Sequence, residues 1–88
     1  MTFDKWIDAV NAQVRFRLGN QVRTEELSSD SAVWRSARGT AVASLADDGV
    51  TAKVFFDGGD KLTLGFNEAP EAHPDALSST IAERLAAR

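Results

Sequence analysis

Residues 40–66 read TAVASLADDGVTAKVFFDGGDKLTLGF, three short stretches of alternating apolar and polar side chains separated by Asp47-Asp48-Gly49 and Asp57-Gly58-Gly59-Asp60. Alternation has the two-residue period of a strand, and Asp/Gly clusters supply the residues that reverse a chain. The stretch therefore predicts a three-stranded antiparallel meander over about 40–46, 50–57 and 61–66. A two-residue type I′ turn at Asp48-Gly49 sets Leu45 opposite Ala52, Ala43 opposite Val54 and Ala41 opposite Phe56, all on one face. For that face to stay apolar past the second reversal, Leu62, Leu64 and Phe66 must join it. This requires a loop with an odd number of residues, because a one-residue slip turns every side chain over. The opposite face then carries Thr40, Val42, Ser44, Thr51, Lys53, Phe55, Lys61, Thr63 and Gly65. It is polar except for the cross-strand neighbours Val42 and Phe55.

Upstream, Phe3, Trp6, Ile7, Val10, Val14 and Leu18 recur at spacings of three and four, which predicts an amphipathic helix over about 3–18 with Thr2 as N-cap and Gly19 as its stop. Phe16 falls off that stripe, between Arg15 and Arg17. Downstream, Pro74 suits a first helical position, and Leu77, Ile81 and Leu85 recur every four residues, giving a terminal helix over about 74–87. Residues 20–38 are the least regular part. Asp30, followed by Ala32, Val33, Trp34 and Ala37 and closed by Gly39, suits a short helix at about 30–38; an extra strand is the competing reading. The expected architecture is one α+β domain over residues 1–88, with helices on one face of the meander and sheet edges at 40–46 and 61–66.

Eighty-eight residues supply one modest core, and no stretch approaches a membrane span. Cysteine is absent, which excludes disulfides and thiolate metal sites. With no charged-then-apolar leader at Met1, a cytoplasmic protein is expected. The formal charge is -3; residues 46–88 hold four Lys/Arg against eight Asp/Glu, which disfavours a surface devoted wholly to nucleic acid.

No cluster has the spacing that catalysis requires. His73, the single histidine, stands before Pro74 at a helix start and reads as a capping or surface residue. The serines include no Gly-x-Ser-x-Gly elbow. Asp47, Asp48, Asp57 and Asp60 lie at opposite ends of the middle strand and read as turn residues, so no metal and no cofactor is expected. Gly58-Gly59 joins two strands and lacks the Lys and Ser/Thr of a phosphate-binding loop.

The order of helix, three-stranded meander and helix resembles the double-stranded RNA-binding domain in topology, although Pro74-Asp75-Ala76-Leu77-Ser78-Ser79 stands where that family has a lysine-rich helix start. The acidic character, first amphipathic helix and Asp-rich meander are similar in arrangement to the opening half of type III secretion chaperones, which are typically longer dimers with further strands. Both are likenesses of arrangement and carry no site residue across.

Two functions follow as expectations. The first is a small protein-interaction module without catalytic activity, an adaptor, regulator or inhibitor, that contacts a protein partner through Phe55, Val42 and Phe16, or a second copy through a sheet edge or the Val42/Phe55 face. The alternative is a nucleic-acid-binding module that sets Arg15, Arg17, Arg35 and Arg38 on phosphates beside Phe16 and Trp34.

Overall fold

The computed structural model describes residues 1–86. The chain runs α1 (Phe3–Leu18), β1 (Val22–Leu27), β2 (Ser31–Ser36), β3 (Gly39–Leu45), β4 (Thr51–Phe56), β5 (Lys61–Gly65) and α2 (Pro74–Leu85), with 3₁₀ turns at Gly19–Gln21 and Pro70–Ala72. All five strands are antiparallel to their neighbours, in the order β1-β2-β3-β4-β5. The α+β class and both helices are as the sequence predicts; Ala87, the last residue of the expected terminal helix, lies outside the described residues. The strand count is not as predicted, because the sheet has five strands where three were expected.

The two additional strands come from residues 22–36, and β2 replaces the helix expected at 30–38. Ala32 and Trp34 turn inward, opposite Ala43 and Ala41, while Val33 and Arg35 face the other way. That is the period of a strand, and β-branched and aromatic side chains favour it over a helix. Asp30 belongs to the turn between β1 and β2, where its carboxylate accepts from the Ser28 hydroxyl. The added hairpin makes β3 the central strand and moves the sheet edges to β1 and β5.

The register across the meander is the one parity demands. Leu45 pairs with Ala52, Ala43 with Val54 and Ala41 with Phe56. On the far side Val54 pairs with Leu62 and Ala52 with Leu64. The β4–β5 reversal closes with the Phe56 N–H on the Asp60 carbonyl, leaving the odd-numbered loop Asp57-Gly58-Gly59. The β3–β4 reversal has a different form from the type I′ turn expected. Gly49 alone has positive φ there, whereas a type I′ turn needs it at Asp48 as well. Instead the Gly49 N–H bonds the Ala46 carbonyl and the Ala46 N–H bonds the Thr51 carbonyl, which makes a four-residue loop. Two and four are both even, so the pairing is the same. The Asp48 carboxylate accepts from the backbone N–H groups of Val50 and Thr51, each at 2.9 Å, and from the Thr51 hydroxyl at 2.6 Å.

Both helices pack on the inner face and against each other. The α1 stripe is buried as predicted, joined by Leu77, Ile81 and Leu85 of α2. Beneath them the sheet presents Ala32, Ala41, Ala43 and Ala52, all fully buried, and these small side chains leave room for the helices. Three hydrogen bonds fix the layers. The Trp6 indole N–H donates to the Ala72 carbonyl at 2.6 Å. Asn11 Oδ1 accepts from the Trp34 indole N–H at 2.8 Å and from the Thr24 hydroxyl at 2.7 Å, tying α1 to β1 and β2. Among the described residues no buried side-chain nitrogen or oxygen lacks a hydrogen-bond partner.

Two outcomes follow. Ala43→Leu overfills the inner face and lowers unfolding stability by about 1–3 kcal/mol, measured by urea titration. The hydrogen bonds from the Thr51 hydroxyl and the Val50 and Thr51 N–H groups hold the Asp48 carboxyl below its ordinary value of 3.8. Its contribution is therefore full above that value and is lost as pH falls through the lowered one. Asp48→Asn is expected to reduce stability at neutral pH and to flatten the acid limb of the stability curve below about pH 4, read by thermal melts across pH.

Candidate interaction surface on the uncovered sheet face

Because both reversals preserve parity, the sheet face away from the helices carries every side chain that the inner face rejects. Across its middle runs one row that includes every strand. Glu26 pairs with Val33, Val33 with Val42, Val42 with Phe55, and Phe55 with Lys61. Three apolar residues are thus flanked by a carboxylate on β1 and an ammonium on β5. Phe55 is 41% exposed and the two valines are half-buried. The polar residues Thr40, Ser44, Thr51, Lys53 and Thr63 surround the row.

A bulge on β1 brings Glu26 into this row. The register shifts between Thr24 and Glu26, so Thr24 opposes Trp34 on the inner side while Glu26 opposes Val33 on the outer side. The displaced residue, Glu25, accepts from Arg35 Nε at 2.6 Å. Bulges of this kind commonly stand at sheet edges and re-aim side chains.

The structure thus places Val42 and Phe55 together as direct cross-strand neighbours and adds Val33, which the helical reading of 30–38 concealed. Phe16 is elsewhere. It is 87% exposed on α1, off the buried stripe and on the layer behind the sheet, so it cannot share a contact with Phe55. Residues 22–36 extend the sheet sideways and do not fold back over this face.

The four arginines of the alternative reading are dispersed. Arg17 joins the two helices, with Nη2 on Asp75 Oδ1 at 2.7 Å and Nε on the hydroxyl of buried Ser78 at 3.2 Å. Arg38 donates to the Ala86 carbonyl, and Arg35 is held by Glu25. Arg15 and Arg35 share a hollow of about 430 Å³ that Arg23 also lines at the chain reversal before β1. Trp34 is fully buried and offers no ring for stacking.

His73, Asp57 and Asp60 have structural partners. His73 Nδ1 accepts from the Asp75 N–H at 3.3 Å, capping α2 as its position before Pro74 predicts. Asp57 accepts from the Thr40 N–H, and Asp60 pairs with Arg84, whose guanidinium lies 4.7 Å over the Phe56 ring. No group of three or more His, Asp or Glu side chains among the described residues is placed to hold a metal ion. No helix among them is long and apolar enough to cross a membrane.

Arg17→Ala removes the ion pair and one hydrogen-bond partner of Ser78. It is expected to cost about 1 kcal/mol, since the pair is partly exposed and surface pairs contribute little; chemical denaturation measures this. Comparison with protein-family models, with curated proteins and with solved structures finds no match.

Proposed function

We propose that this domain is a non-catalytic protein-interaction module and that its contact surface is the uncovered sheet face centred on Val33, Val42 and Phe55. The observation that supports the reading is the row itself: a phenylalanine and two valines aligned on neighbouring strands of a face that no other element among the described residues covers. Isolated exposed apolar residues are ordinary, whereas a contiguous apolar strip with a polar surround has the composition of an interface centre and its rim. The strands hold these side chains in fixed positions, so little order has to be imposed when a partner docks.

Nucleic-acid binding has weaker support. Arg17, Arg35 and Arg38 already hold protein groups, and the aromatic that would stack beside them is buried. A phosphate-binding role would have to displace these contacts.

Phe55→Ser tests the reading. Stability is expected to fall by only about 1 kcal/mol, against about 3–5 for a fully buried phenylalanine, because this side chain is already partly in water. Association of the folded chain, with itself or with another protein, is expected to be lost in Phe55→Ser and kept in Phe16→Ser, as read by sedimentation and by immobilised-protein binding. Equal association by both variants and the wild type would overturn the assignment of this face.

A further inference from the structure

Resting on the reading above, we infer that the occupant of the uncovered face is a second copy of this chain, packed sheet to sheet about a two-fold axis that runs along β3. The ends of the central row select this arrangement. The row reads Glu26, Val33, Val42, Phe55, Lys61 from β1 to β5, with Val42 on the central strand. A two-fold axis between the sheets and parallel to β3 reverses the row on its partner. Val42 then meets its own copy, Val33 meets Phe55 at both symmetry-related sites, and Glu26 at each edge meets Lys61 of the other copy.

The competing axis, in the same plane but perpendicular to β3, leaves the row unreversed. It would set Glu26 against Glu26 and Lys61 against Lys61. Like charges placed opposite one another disfavour that pairing, and a two-fold contact must be complementary to itself.

The neighbouring line of the same face agrees. Arg23 pairs with Arg35, Arg35 pairs with Thr40, and the Thr40 carbonyl accepts from the Asp57 N–H, so the line runs from cations on β1 and β2 to an anion at the end of β4. Reversal about the β3 axis sets each Arg35 toward the other copy's Asp57. On the opposite side of the central row, Ser31, Ser44, Lys53 and Thr63 contribute no like-charge contact when reversed, since Lys53 comes to Ser31. Aligned sheets cross at about 30°, an offset that the flexible stems of Glu26 and Lys61 accommodate.

The area is sufficient for a weak, concentration-dependent dimer. Five strands about 4.8 Å apart and about six residues long at about 3.3 Å each give a face of roughly 480 Å², or about 1,000 Å² over two copies before side-chain relief is counted. That stands at the lower limit for a specific interface. Within one chain Glu26 and Lys61 are separated by four strand spacings, about 19 Å, so they have no contact to lose as a monomer.

Sedimentation equilibrium from about 10 μM to about 1 mM tests this on the wild type, Glu26→Lys, Lys61→Glu and the double variant. Expected are a wild-type dimer, dissociation constants raised about tenfold in each single variant because two symmetric ion pairs become repulsive, and near wild-type affinity in the double variant. A wild type that stays monomeric throughout overturns the inference. So does a dimer unchanged by Phe55→Ser, which would indicate edge-strand pairing, and so does a double variant no tighter than the singles. A monomeric wild type that binds another protein in a Phe55-dependent way would overturn the second copy while leaving the proposed contact face standing. Loss of Phe55 dependence in every association would overturn both.

Discussion

The structure depends on side-chain parity in strands β3, β4 and β5. Each reversal must return the chain with its apolar set on the same side, and the two loops do so in different ways, one with four residues and one with three. Were either changed by a single residue, Val54 and Phe56 would exchange sides with Lys53 and Phe55 relative to their neighbours, and the helices would face charge. The alanines add a second requirement. Ala32, Ala41, Ala43 and Ala52 are fully buried beneath α1 and α2, and helices seated this closely depend on side chains that add almost no height to the sheet.

The same parity generates the outer face. A five-stranded sheet covered on one side must leave a row of side chains on the other, and in an antiparallel sheet that row is free to be wholly polar. Here it is polar at both edges and apolar through the middle three strands. The β1 bulge decides which residue ends the row, because without its extra residue Glu25 would stand there in place of Glu26, an acid in either case. With the bulge, Glu26 ends the row and Glu25 is left to pair with Arg35.

The legible parts of the sequence were those where periodicity and turn chemistry agreed. The α1 stripe, the α2 stripe and the β3–β4–β5 register could all be read, even though the Asp48-Gly49 turn took another form, because register depends on loop parity more than on turn type. The β1–β2 hairpin could not be read. Val22-Arg23-Thr24-Glu25-Glu26-Leu27 carries apolar residues only at its ends, and the bulge breaks what alternation remains. Asp30 imitates a helix cap, and Ala32, Val33, Trp34 and Ala37 fit a helical stripe as well as a strand. The site was legible to the same extent: Val42 and Phe55 stood out, while Val33 was hidden in the misassigned segment and the place of Glu26 depended on an unseen bulge. The arginine patch illustrates a different limit. Arg15 and Arg17 stand two positions apart in sequence, yet Arg17 is taken by Asp75, far along the chain, and nearness in sequence did not reveal it.

The most direct test of the central claim is residue-resolved. Backbone amide NMR shifts followed through a dilution series report which surface meets another molecule. Shifts confined to Glu26, Val33, Val42, Phe55, Lys61 and their outer-face neighbours are the result this account predicts. Shifts concentrated along the free edge of β1 or β5, or around Phe16, or no concentration dependence at any position, would contradict it.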